Sequence, residues 1–221
     1  MEIDHCAFPE DILYEADGLV WVRPVESGDV LVGITSIYAA IVGPIAKVTA
    51  KPIGAAYARD VAIGFLESGK YFGPIRSPVR GVLRATNPDV LAKPRIMTNA
   101  PYTDGWLARV HATDFDEDRK GLHAASDAKP LLAKQIAELR VRCFAAFPDH
   151  EMFEIGVECS AVLTKLNELL QGIRVGDVVH LVTDDPTAPI EMVRWSDETK
   201  QPVIDERKEG NLYHFLVRKT T

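Results

Sequence analysis

Hydrophobic positions in the first half of the chain come in short alternating or β-branched runs, at 18–23, 29–35, 45–51 and 81–85, with Gly or Pro in nearly every gap. Runs of that length between turn formers predict strands. Short strands at this spacing predict a small closed or flattened β-sandwich, whose function rests on what a turn displays. The stretch 30–46 carries no charge and approaches the length of a membrane span, yet Gly33, Thr35, Ser36 and the Gly43-Pro44 pair interrupt it. It predicts a strand, a short helical turn and a second strand rather than a transmembrane helix. Its surplus of Ile and Ala either fills a core or marks a docking surface.

The period changes after the acidic cluster Asp114 to Asp118. Leu132, Ile136, Leu139, Cys143 and Phe147 recur at spacings of three and four, which predicts a helix starting at Pro130, capped by Asp127 and packed between two domains. Cys143 lies on its apolar stripe and reads as packing. After Pro148-Asp149 the pattern predicts a strand over 152–157, a helix over 160–171 ended by Gly172, and a strand over 177–183. A helix over 186–197 and two strands around Glu209-Gly210-Asn211 follow. That β-α-β-α-β-β order is an α/β two-layer sandwich.

Charge narrows the partners. The balance of 25 basic to 32 acidic side chains gives −7, which argues against nucleic acid and anionic membrane as partners. Met1 to Asp11 carries Glu2, Asp4, Glu10 and Asp11 with no apolar run, so a cytoplasmic location is expected. Three cysteines without C-x-x-C spacing, Cys6, Cys143 and Cys159, predict free thiols rather than a disulfide framework or zinc site. The histidines His5, His111, His123, His150, His180 and His214 lack ligand spacing, so no metal is expected.

The segment 61–79 is the most informative. An apolar run enters Glu67-Ser68-Gly69-Lys70 and returns through Ser77-Pro78-Val79, predicting a hairpin with Lys70 near its tip and Gly69 supplying backbone freedom. Taken alone, such a lysine is a solubilising residue. Its surroundings, however, resemble the glycine cleavage H proteins and related lipoyl carriers, over about residues 1–115. The resemblance is carried by Val20-Trp21-Val22-Arg23, Val32-Gly33-Ile34-Thr35, Glu67-Ser68-Gly69-Lys70, Ser77-Pro78-Val79-Arg80-Gly81 and Pro101-Tyr102-Thr103-Asp104-Gly105-Trp106-Leu107. It implies a barrel-sandwich lipoyl domain with lipoate in amide linkage to Lys70. Glu67, Ser68 and Gly69 would form the turn read by the lipoylating enzyme, although Glu67 reads equally as a solvated charge. Biotin is disfavoured because Gly69 and Tyr71 flank the lysine where biotin carriers have methionines.

Two departures turn the resemblance toward sulfur chemistry. Leu19-Val20 stands where glycine cleavage H proteins carry His-Glu, and Gly69-Lys70-Tyr71-Phe72-Gly73-Pro74 is similar to the lipoate-binding proteins of the heterodisulfide-reductase-like sulfur-oxidation pathway. Residues 153–219 resemble the TusA-type sulfur carriers, through Gly156-Val157-Glu158-Cys159, Gly176-Asp177, Asp184-Asp185-Pro186 and the closing run Tyr213 to Lys219. The resemblance implies a persulfide on Cys159. A cysteine opening a helix is expected to have a lowered pKa. The family's Pro-x-Pro after the cysteine is replaced by Ser160-Ala161-Val162, which leaves an active persulfide site and a docking role both open. Asp184-Asp185 reads as a cap for the following helix.

The expected organisation is a mixed fold. An H-protein-like all-β barrel-sandwich hybrid covers 1–127, a connecting helix covers 128–150, and a TusA-like α/β two-layer sandwich covers 151–221. The expected function is a lipoylated carrier, not an enzyme in its own right, that shuttles sulfur between a sulfur donor protein and a heterodisulfide-reductase-like complex. Two alternatives are an aminomethyl carrier of glycine cleavage and an unmodified docking scaffold.

Overall fold

The computed structural model describes residues 1–17, 19–25 and 28–221. The chain divides into two compact units, Met1–Cys143 and Phe144–Thr221.

The first unit is a β-sandwich with open sheets and several short helices. A hairpin of β1 (Glu2–Ile3) and β2 (Cys6–Ala7) precedes β3 (Leu13–Glu15), β4 (Val20–Pro24) and β5 (Asp29–Ile34). The strand expected from Gly18 starts at Val20 among the described residues, Gly18 itself lying outside them. The uncharged stretch resolves into β5, the helix α1 (Ser36–Val42) and β6 (Ile45–Ala50). Thr35 caps α1 by accepting the Tyr38 N–H, and Gly43 ends it at φ 74°. Next come β7 (Ala56–Tyr57), β8 (Ala62–Ser68), β9 (Phe72–Arg76), β10 (Gly81–Thr86), α2 (Pro88–Ala92), α3 (Ile96–Asn99) and β11 (Trp106–Ala112). The unit closes with α4 (Phe115–Asp118), β12 (Leu122–Ala124) and α5 (Ala125–Leu139). One sheet runs β12-β3-β4-β5-β11-β10-β7 and a second β6-β8-β9. No described helix is long and apolar enough to cross a membrane.

Two expectations for this unit are corrected. The helix α5 starts at Ala125, not Pro130, because Ala125 and Ala128 are buried and draw its first turn into a core shared with Phe8, Ile12, Tyr14 and Trp21. It is therefore part of the first unit's core rather than a connector. The apolar spacing continues past it, but Arg140 takes a left-handed conformation and the Val141 N–H turns back to the Ile136 carbonyl, which ends the helix before Cys143 and Phe147. Cys143 then reaches Cys6 and forms a disulfide with it, Cα atoms 5.0 Å apart. The prediction of free thiols fails here because 137 residues of sequence separate two cysteines that one core brings together.

The second unit runs β13 (His150–Glu154), α6 (Cys159–Gly172), β14 (Val178–Thr183), α7 (Ala188–Thr199), β15 (Val203–Glu209) and β16 (Leu212–Arg218). Its sheet order is β13-β14-β16-β15, with β13 parallel to β14 and the other pairs antiparallel. Val162 and Leu166 of α6 and Met192 and Trp195 of α7 pack on Val179, Leu181, Phe215 and Val217, so both helices share a core with one face of the sheet.

Candidate functional site

Four of the five segments singled out in the first unit are spent on structure. Trp21 is fully buried and donates from Nε1 to the Pro101 carbonyl at 3.0 Å, with Gly33 beneath its ring where a Cβ would collide. Arg23 donates to the Tyr102 carbonyl, and the Tyr102 hydroxyl receives the Ser36 N–H at 2.9 Å. Ser77 is buried with its hydroxyl on the Val79 carbonyl, while Arg80 reaches the buried Asp118 through its backbone N–H (2.7 Å) and guanidinium (2.9 Å to Nη2). That ion pair accounts for part of the acidic cluster. Val20 is buried and Leu19 packs against the core, so the two residues that depart from the H-protein pattern serve packing here.

The fifth segment points outward. Strands β8 and β9 pair Glu67 with Phe72, and the Ser68 N–H donates to the Tyr71 carbonyl at 2.8 Å, leaving Gly69 and Lys70 at the tip. Lys70 and Gly69 are at the surface, and a side chain at Gly69 would meet nothing within 4 Å. Gly69 does not adopt positive φ, so the backbone freedom expected of it is not what forms this turn. Contacts with α1 fix it instead. The Ser68 hydroxyl donates to the Val42 carbonyl at 2.6 Å, one of the carbonyls a helix end leaves without an intrahelical partner. It also accepts the Lys70 N–H at 3.3 Å.

On the other side of the turn Tyr71 stands edge-on to Tyr38 of α1, ring centroids 5.8 Å apart and hydroxyls 3.2 Å apart. Tyr38 in turn donates to the Pro74 carbonyl at 2.8 Å. Burial, then the Tyr71 hydroxyl, pushes the Tyr38 phenol well above its usual range, so it stays a neutral donor. The Lys70 stem lies over Gly43, where a Cβ would come within 3.1 Å of Cε. The result is a hairpin tip anchored on both flanks to one short helix, with Lys70 exposed on it and its side chain lying along Gly43. Sequence reading found Lys70 and its turn. It missed Tyr38, whose role depends on α1 folding back onto β9, and Phe65 and Phe72, which share the exposed face of the hairpin.

In the second unit Cys159 does open α6, but its surroundings reverse the expected chemistry. Its sulfur is buried, and its backbone N–H is taken by Asp185 Oδ2 at 2.7 Å. Burial first, then the charges of Asp185 and Glu191, raises the thiol pKa rather than lowering it. The Asp185 carboxyl is held below its usual range chiefly by the Thr187 N–H and hydroxyl, at 2.8 and 2.7 Å, so it stays charged. Asp185 thus caps the N terminus of α6 as well as the turn into α7, while Asp184 receives the Gly156 N–H. The fold also joins two histidines that are 34 residues apart in sequence: His180 Nε2 and His214 Nδ1 lie 3.0 Å apart with rings stacked.

A model of the glycine cleavage H-protein family matches residues 12–135. Glycine cleavage system H protein 5 of Aquifex aeolicus is 32% identical over 146 residues, 64% of this chain and 98% of its own length. Probable glycine cleavage system H protein 2 of Sulfurisphaera tokodaii is 32% identical over 143 residues, 64% of this chain and 96% of its own. A crystal structure of a glycine cleavage system H protein from Mycobacterium marinum aligns with 61% of this chain and 100% of its own, at 24% identity and a TM-score of 0.48.

Proposed function

The chain belongs to the glycine cleavage H-protein family, whose members carry lipoate covalently on a lysine, and on that footing we propose that Lys70 is the attachment site and that the arm built on it carries sulfur. The observation behind this reading is the hairpin tip itself, where an exposed lysine stands on a turn that Ser68, Tyr71 and Gly43 hold against α1. The residues present fit a lipoyl group: Lys70 is exposed, the neighbouring position 69 lies in open space, and the turn beneath is anchored. When attached, lipoate would supply a dithiolane that a reductant converts, with two electrons and two protons, to two thiols able to take a transferable group.

The chain's own contribution is presentation. Ser68 and Tyr71 fix the direction in which the lysine leaves the turn, and the β8–β9 pairing makes the base of the arm rigid. The proposed route runs from a sulfur donor protein to a heterodisulfide-reductase-like complex in the cytoplasm. Sequence supports that cargo through Lys70-Tyr71-Phe72-Gly73-Pro74, Leu19-Val20 and the likeness of residues 153–219 to sulfur carriers. The reading places the cargo on Lys70 alone, since Cys159 is buried beside Asp185.

A second reading, an aminomethyl carrier of glycine cleavage, is favoured by the names of the relatives. One experiment separates the two. Intact mass analysis of the protein from its host is expected to show a lipoyl amide on Lys70, absent in Lys70→Arg, and, once the arm is reduced to its dithiol, a gain of one sulfur from a persulfide donor that leaves as its thiol. Loading of an aminomethyl group from glycine by a glycine decarboxylase, with release of carbon dioxide and without sulfur loading, would replace the first reading by the second. An unmodified Lys70 would leave only a docking scaffold.

A further inference from the structure

The three-stranded sheet β6-β8-β9 turns one face to the core and the other to solvent. On the solvent face Lys47, Glu67 and Phe72 form one cross-strand row, and Thr49, Phe65 and Pro74 the next. Phe72 is 69% exposed and Phe65 41% exposed, and their rings stack nearly parallel at 5.7 Å. Stacking leaves much of both rings in water, and large exposed apolar groups set beside a functional residue mark a contact surface. Lys47, Glu67 and Arg76 are also exposed on these strands.

We infer that the Phe65–Phe72 pair, edged by Lys47 and Arg76, is the docking surface for the enzyme that acylates Lys70, and that this enzyme meets it with an apolar, acid-rimmed surface. The inference rests on the reading of Lys70 as the lipoyl site. Distance identifies the occupant. The backbone from Lys70 to Phe72 spans at most about 7 Å. An enzyme forming an amide at Nζ must bring its catalytic groups to the lysine itself, and in doing so it covers the hairpin face beside it. Partners that work on the far end of a lipoyl arm meet its sulfurs on the order of 10 Å away, at ~1.5 Å per carbon–carbon bond, and need not touch that face.

Charge gives the partner its sign. The chain as a whole is −7, yet Lys47, Lys70 and Arg76 on this hairpin and its neighbouring strand face a single carboxylate, Glu67. A local cationic rim on an acidic molecule steers an acidic partner to this face. Paired aromatics at the centre of a contact are the residues whose truncation costs most.

The test is lipoylation of the full-length apoprotein by the host's lipoate–protein ligase with free lipoate and ATP, followed by the mass of the Lys70 peptide. Phe65→Ser/Phe72→Ser is expected to lower kcat/KM roughly tenfold or more, with the loss in KM. Lys47→Glu is expected to lower it several-fold, by an amount that shrinks as salt rises. Phe72→Ser alone serves if the double variant melts early. Wild-type modification with unchanged kcat/KM in the aromatic variants overturns the docking inference and leaves the lipoyl reading standing. Absence of modification on wild-type Lys70 overturns both.

Discussion

Ser68 Oγ and the Val42 carbonyl lie 2.6 Å apart, a hydrogen bond that ties the turn carrying Lys70 to the last residue of α1. Through it, a helix with no charged side chain sets where a charged one stands. Removing the hydroxyl leaves the Val42 carbonyl without this donor and the Lys70 N–H without its acceptor. Ser68→Ala is expected to cost about 1 kcal/mol, read as a lower urea midpoint at unchanged slope. Amide exchange at Gly69 and Lys70 should quicken more than in β8, because the loss is local to the turn.

Glu15 supplies a pH dependence. Burial first, then the charges of Asp17 and Asp60, raises its carboxyl pKa from 4.5 to about 7. The folded state thus holds a proton that the unfolded chain releases near 4.5. The resulting stability is full below pH 4.5 and is lost as pH rises through about 7. After screening of a partly exposed group this amounts to about 1–2 kcal/mol. Urea midpoints measured between pH 5 and pH 8 should fall with pH in the wild type, and Glu15→Gln should flatten that slope.

The Cys6–Cys143 bond closes a loop of 137 residues around the first unit. In the chain-entropy account a loop of that size contributes about 3–5 kcal/mol through the unfolded state. Dithiothreitol should therefore lower the melting temperature of the first unit's transition, and Cys143→Ser should do the same without reductant. In Cys143→Ser the reductant should have no further effect.

Cys159 is expected to react slowly. With its thiol pKa raised by burial and by Asp185, its thiolate population at pH 7.5 lies below that of an exposed cysteine. Asp185→Asn removes one of the two charges while an amide oxygen can still accept the Cys159 N–H. Alkylation by iodoacetamide should then speed up several-fold. Equal rates in the two proteins would mean that burial alone protects the sulfur.

What the sequence determined by itself is local. The apolar run from Val61, broken at Ser68-Gly69 and resumed after Lys70, is enough to place a hairpin and its tip, because alternation and turn chemistry act over a few residues. The strand–helix–strand division of the uncharged stretch was legible for the same reason, since Thr35 and Gly43 are local signals for a helix start and stop. The second unit's helices and strands likewise follow from period and punctuation. Tertiary structure decided everything that depends on residues distant in the chain. Cys6 meets Cys143 only because the N-terminal hairpin and the end of α5 enter one core. Asp185 reaches the start of α6 across 26 residues and turns an expected thiolate into a protected thiol. Tyr38 becomes a support for the lysine turn only when α1 lies against β9. Electrostatic and packing energies depend on separation in space, and a one-dimensional pattern records that separation only over a turn or a strand.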